Sequence, residues 1–377
     1  MNFALSDEQV LLREAARGAL SRFGNIEAAR QALEDLRALP DLWPTVVEAG
    51  WPGMLIEEEH GGAGLGAFDA LLVAEECGRV LASVPLLGLL PATTILTAAG
   101  DRSLSAIANG ELRPAFVPAR PPGDVEQLWT VDPRSGFARA PAPLASIEGD
   151  EVVFDGVVAF LPDVPSADEL VAVGVTGEGT AVAGVFRDGP GVAVDRVVRY
   201  DATRALGHVS FAAARGRLLE VGPGVVADAW YLAQALIAAE SIGTVQSCLE
   251  LSVAYANERF TFGRAIGSYQ SIKHELTEVL RRLENARALQ YYAGWARQSR
   301  PEEFPLAASA ARSAAGHALD FATRSMINVH GGIGATWEHD APLYYRRAQL
   351  SRRLLGGTRD ATDRVAERSL AEPRAAA

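Results

Sequence analysis

YANERFTFGRAIGSYQSIKHEL, residues 255 to 276, ends one long helix, turns, and starts another. Upstream, Ile242, Val245, Leu249 and Val253 recur at the three- and four-residue spacing of a single helix face; downstream, Ile272, Leu276, Val279, Leu283 and Ala286 do the same. Between the two seams stand an arginine (Arg259), an aromatic (Phe262), two glycines (Gly263 and Gly267) and an amide (Gln270). An arginine at a helix C-terminus complements the macrodipole, so Arg259 alone reads as a cap or surface residue. With its neighbours it joins a set suited to holding a pyrophosphate and an aromatic ring system.

Outward from this turn the helical pattern continues. Ala310, Ala314, His317 and Phe321 form a third seam and 340 to 372 a fourth helical segment, joined by FTFGRAIGSY, SRPEEFP and HGGIGATWEHD. Residues 223–377 are therefore expected to form a C-terminal four-helix bundle. Before it, residues 114–222 break into short Val-rich runs such as EVVFDGVVAF, ELVAVGV and TAVAGVF, split by Gly, Pro and Asp. That texture predicts a middle antiparallel β-domain, a sandwich or barrel. Residues 1–113 read as an N-terminal α-helical domain: Ser6 and Gln9 form a capping box, Leu12, Ala16 and Leu20 share a face, and 70–81 repeats the spacing. The glycine-rich stretch 61–66 between these helices is either a turn or a backbone that approaches something closely.

Composition narrows the function classes. The 377 residues are 49% hydrophobic and 22% charged, enough for a large buried core. A net charge of -12 with dispersed basic residues leaves no footprint for nucleic acid or a membrane surface. Two distant cysteines, Cys77 and Cys248, exclude a disulfide framework and a cysteine zinc site and fit a reducing compartment, so a cytoplasmic location is expected. We expect no export signal and no stretch of about 18 apolar residues to span a bilayer. The six histidines lack metal spacing, apart from His330 and His339 around the glycine turn, which read as structural; no metal is expected. Trp337, Glu338, His339 and Asp340 line either a pocket or an interface.

The pattern R-x-x-F-G-x-x-I-x-x-x-Q at 259–270 resembles the acyl-CoA dehydrogenase signature at this place in the bundle. NVHGGIGATWEHD (328–340) resembles a second family motif, and the HGG-x-G-LG loop of the N-terminal domain a third. The resemblance covers essentially the whole chain. It implies the acyl-CoA dehydrogenase fold and FAD at a dimer interface, where the two C-terminal motifs reach the adenosine diphosphate part of the neighbouring subunit's flavin. The positions so implied are Arg259, Phe262, Gln270, Asn328, Gly331, Gly332 and Gly334, with Asn328 one methylene shorter than the usual Gln.

The same resemblance shows what is missing. The family holds the flavin ring through a T-E-P-x-x-G-S-D loop and a W-x-T strand. Here LWTVDPRSGFARA retains Thr130 and Pro133 but not Gly-Ser-Asp, and Phe160 and Pro162 stand at the Trp and Thr positions. The usual base, in a Y-E-G-T segment, is replaced by Gly356, and the alternative base position on the preceding helix reads Ala233. Glu240 lies two turns farther on, about 10 Å along the axis and out of direct reach. Asp360 sits past the loop, where an altered backbone would be needed for it to serve. Loss of a general base removes about 10²- to 10⁴-fold of rate, so no catalytic residue is expected in this chain.

The implied function is a subunit that gives the trans half of an FAD site to a paralogous catalytic acyl-CoA dehydrogenase subunit, in a heterodimer or α2β2 assembly. Its substrate would be a bulky acyl-CoA such as a steroid side-chain ester at the partner's site, and its electron acceptor an electron-transfer flavoprotein. Two alternatives remain: a self-sufficient homo-oligomeric dehydrogenase with a displaced base, and a scaffold of the same fold that binds no flavin.

Overall fold

The computed structural model describes residues 4–121 and 128–371; residue 372, at the end of the fourth expected helical segment, lies outside them. Six helices open the chain: α1 (Asp7–Ser21), α2 (Asn25–Gln31), α3 (Trp43–Glu48), α4 (Ala67–Arg79), α5 (Leu86–Ala98) and α6 (Leu104–Ala108). The capping box starts α1, with Ser6 and Gln9 each accepting from the other's backbone N–H. Nine strands follow: β1 (Pro114–Val117), β2 (Thr130–Asp132), β3 (Ala138–Ala140), β4 (Leu144–Glu148), β5 (Glu151–Pro162), β6 (Glu169–Thr176), β7 (Ala181–Phe186), β8 (Val192–Val197) and β9 (Leu206–Leu219).

Strands β4, β5, β9, β7 and β6 pair in a closed ring, with β1 added to β6 and β8 to β9. Closure fits the barrel reading. The sheet is mixed rather than antiparallel throughout: β1 and β4 both run parallel to β6. Parallel partners need long connections, and β2 to β5 supply one between β1 and β6. Phe154, Phe186 and Phe211 fill the ring's interior, their centroids 4.7 to 5.5 Å apart.

The C-terminal region is built on α7 (Pro223–Glu258), a 36-residue helix with proline in its first turn. It leads through a two-stranded hairpin, β10 (Phe260–Thr261) and β11 (Arg264–Ala265), into α8 (Gln270–Ser299), then α9 (Phe304–His330). The fourth helical segment is two helices, α10 (Ala341–Ser351) and α11 (Gly357–Ala371). The break is backbone-driven: Leu355 and Gly356, between the two helices, both have positive φ, which a right-handed helix interior cannot carry, and so does Gly357 at the very start of α11. A second difference from the sequence reading concerns α7, which is long and apolar enough to cross a membrane. In the fold 83% of its apolar window is buried, so it is the core helix of the bundle.

Two glycines set how closely α7 meets the N-terminal domain. A Cβ on Gly78 would lie 2.0 Å from the Glu240 carbonyl oxygen, and one on Gly243 1.8 Å from that of Glu75. The Thr244 hydroxyl donates to Gly78 O across the contact (3.0 Å).

Where the three parts meet, a charged network is sealed from water. Glu240 on α7 pairs with Arg204 of the β-domain and lies 3.9 Å from Arg347 on α10. Arg347 donates to Asp201 (2.8 Å), to the Thr203 hydroxyl (2.5 Å) and to the Leu81 carbonyl (3.2 Å). Breaking a buried pair from one side leaves an uncompensated charge, so Glu240→Ala is expected to lower unfolding free energy in a denaturant titration by about 3–5 kcal/mol. Nearby, buried Asp163 accepts from the Gly88 N–H (2.8 Å), and burial pushes its carboxyl up to about 7. The unfolded carboxyl titrates near 3.9, so the folded state holds more protons between about 4 and 7 and loses relative stability as pH rises through that window. Asp163→Asn should therefore gain stability over wild type as pH is raised from 5 to 8 in thermal melts.

Candidate functional site

The turn after α7 exposes what its sequence suggested. Arg259 leaves the helix, its N–H still donating to Tyr255 O (2.9 Å), and none of the described residues pairs with its side chain. Phe262 and Gly263 both have positive φ, the geometry of a tight two-residue hairpin turn. A bulky residue there is strained, yet the Phe262 ring is 98% exposed. Arg264 stacks over Tyr269 (4.0 Å), whose hydroxyl donates to Thr261 O (3.1 Å), stiffening the hairpin. Gln270 is exposed as the first residue of α8.

The second motif lies at the same end of the bundle. His330 closes α9, and Gly331 turns the chain at φ 63, ψ -138, which only glycine tolerates. Tyr255 of α7 stacks on His330 (4.4 Å, planes 30° apart), and His339 meets the His330 ring at a tilt (4.2 Å, 51°), so that the three-ring stack has one inclined member and brings the two motifs together. Asn328, Gly331 and Gly332 are exposed; Gly334 is instead buried, a Cβ there lying 2.8 Å from that of His330.

The base positions look different. Gly356 has φ +83, and a Cβ on it would fall 2.7 Å from Asp360 Oδ2 and 3.4 Å from Arg120 Nη2. The Asp360 carboxylate lies beside this position and pairs with Arg120. The loop is held by Gln234, which donates to Leu355 O (2.9 Å), and by buried Arg312, which donates to Ser351 O (2.6 Å) and Leu354 O (3.3 Å). Ala233 is fully buried, and beside it Trp230 meets Trp129 edge-on at 5.3 Å. Tyr231 is buried too, its ring 6.4 Å from that of Phe304.

Phe160 (φ 57) lines a crevice of about 810 Å³ between the β-domain and α10, with Arg199, Tyr200, Arg346, Arg353 and Leu354 among its walls. Its polar groups are engaged internally: Phe160 N–H donates to His208 Nδ1 (3.1 Å), Ala159 N–H to Thr130 Oγ1 (3.0 Å), and Arg199 lies over the Phe160 ring (4.5 Å). Pro162 has no N–H to give.

Comparison with known proteins matches residues 6–111 to the acyl-CoA dehydrogenase N-terminal domain and 222–370 to the C-terminal domain. Acyl-CoA dehydrogenase IpdE2 of Mycolicibacterium smegmatis is 30% identical over 96% of this chain and 98% of its own length. The chain belongs to the acyl-CoA dehydrogenase family. Among solved structures, the ChsE4-ChsE5 complex from Mycobacterium tuberculosis aligns at TM-score 0.86 with 21% identity, over 99% of this chain and 100% of that one. The Tcur3481-Tcur3483 steroid ACAD aligns at 0.85 with 23% identity, over 97% and 99%.

In this member of the FAD-dependent family the motif residues other than Gly334 lie at the surface, while of the two expected base positions Ala233 is buried and Gly356 partly buried. Sequence reasoning missed Arg120, Arg312 and Arg204, since single arginines without local periodicity carry no signal. Gly356→Glu is expected to cost about 1–3 kcal/mol, from left-handed strain and collision with Asp360. It should leave the isolated chain without acyl-CoA-dependent dye reduction; measurable turnover would show the loop free to rearrange.

Proposed function

We propose that this chain is the non-catalytic subunit of a heteromeric acyl-CoA dehydrogenase, completing an FAD site whose ring-binding half and base belong to a paralogous partner. The observation that carries this is the base position: Gly356, with the one adjacent carboxylate paired to Arg120. The other displaced-base candidate, Glu240, is paired with Arg204. Each of these carboxylates is engaged by a guanidinium within the chain.

The residues present fit the nucleotide end of FAD. Arg259 offers a charge with no internal partner, Gln270 and Asn328 offer amides, and the turn at Gly331 and Gly332 lets backbone approach a phosphate closely. The chain's own crevice does not fit the flavin ring on the family plan, because the N–H of Phe160 is given to His208 and Pro162 has no donor. When bound, FAD accepts the hydride that leaves the acyl β-carbon as a base removes the α-proton. This chain contributes binding and orientation to that step and no proton transfer.

The partner's substrate is read as a bulky acyl-CoA ester such as a steroid side chain, with electrons passing on to an electron-transfer flavoprotein. Support comes from the fold shared with structures whose names include a two-component complex and a steroid dehydrogenase. Buried free Cys77 and Cys248 accord with a reducing cytoplasm.

Expression alone and with the paralogue encoded beside it separates the readings, with flavin absorbance and acyl-CoA-dependent dye reduction as readouts. Colour and turnover only in the pair are expected. Turnover by the chain alone would sink the assignment in favour of a displaced base, and absence of flavin in the pair would favour a scaffold.

A further inference from the structure

We infer that the three-ring stack of Tyr255, His330 and His339, latched from the N-terminal domain by Arg30, is a positioning device that sets the Arg259 turn and the glycine turn in register for the nucleotide. It rests on the subunit assignment above and names the residues that make that surface work. Tyr255 lies one helical turn before Arg259, and its carbonyl holds the Arg259 N–H. His330 immediately precedes Gly331, and His339 immediately precedes the first turn of α10. The stack therefore spans the ends of α7 and α9 and the start of α10, with the glycine turn enclosed between its two imidazoles.

Backbone partners fix the imidazoles. His330 Nδ1 lies 2.7 Å from the Met326 carbonyl, which can only accept, so that nitrogen carries the proton. His339 Nδ1 lies 3.0 Å from the Ala341 N–H, which can only donate, so that nitrogen is the lone pair. Arg30 on α2 donates to the carbonyls of Trp337 and His339 (3.2 Å to the latter) and pairs with Asp340. A leucine or phenylalanine would fill the same volume; two oppositely oriented backbone hydrogen bonds and a guanidinium on the turn's carbonyls specify geometry as well.

Acid acts on the same device. His339 can gain a proton only at Nδ1, which removes the acceptor from Ala341 N–H. Around it stand His330 from α9, Arg30 from α2 and Asp340 from its own segment, with Tyr255 of α7 on the far face of His330. Burial and the neighbouring His330 hold His339 below the usual imidazole range, so the loosening falls on the acid side of about 6.5.

The test uses the co-purified pair and FAD itself, with the dissociation constant read from flavin fluorescence between pH 8 and 5. At pH 8, Arg30→Ala and His330→Leu should each weaken FAD about tenfold. His339→Gln, whose amide oxygen still accepts from Ala341 N–H but which lacks the ring, should weaken FAD at pH 8 by less than Arg30→Ala does and lack the acid weakening that wild type shows. Melting of each isolated chain, monitored by circular dichroism, checks that the variants fold. Wild-type FAD affinity in folded Arg30→Ala and His330→Leu pairs, or an unchanged acid slope in His339→Gln, overturns the positioning role alone. A wild-type pair that holds no FAD overturns the subunit assignment as well.

Discussion

The rest of the molecule depends on the sealed ion network around Glu240. In it the N-terminal helices, the barrel and the bundle share bonds: Leu81 offers a carbonyl, Asp201, Thr203 and Arg204 come from the β-domain, and Glu240 and Arg347 from α7 and α10. Charges so placed are favourable only if each finds a partner, which makes the network a condition on how the three parts dock. It also removes Glu240 from chemistry. Its side chain is buried in the junction and committed to Arg204, with Arg347 3.9 Å away.

From that anchor the shape of the base position follows. Arg347 fixes α10, Arg312 takes the carbonyls at its C-terminal end, and Gln234 takes that of Leu355. The chain then turns through three successive positive-φ residues, the last of which starts α11. Glycine at 356 and 357 suits that path; a glutamate at 356 would bring both strain and a clash with Asp360. Glycine at 356 and the present loop conformation are therefore one feature, with the Arg120–Asp360 pair occupying the space.

The helices, the β-rich middle and the two C-terminal motifs were legible because their signals are local: a 3.6-residue seam, Val-rich runs between turn residues, glycines at fixed offsets. The motif residues at 259–270 and 328–332 lie at the surface because helix ends put them there. What was not legible depends on contacts distant in sequence. Arg120 meets Asp360 across 240 residues and Arg30 meets Asp340 across 310, separations at which spacing says nothing. The break between α10 and α11 was hidden because LLGGT, residues 354–358, also reads as a helix with weak propensity. The parallel strands flanking β6 were missed because side-chain alternation does not encode direction.

The two ends of the α7–α10 region differ in how their polar groups are satisfied, and that difference argues for divided labour over general decay. At the crevice, the Phe160 N–H and the Thr130 hydroxyl are engaged within the chain, and at the base position Asp360 is paired. At the other end, Arg259 has no internal partner, Phe262 is held exposed in a strained conformation, and Gly331 keeps a backbone that no other residue adopts. Drift alone would relax strain and bury an exposed aromatic with equal ease at both ends. Strain that persists at the exposed turns while the polar groups of the other positions are paired within the chain is explained if those turns are completed by another chain.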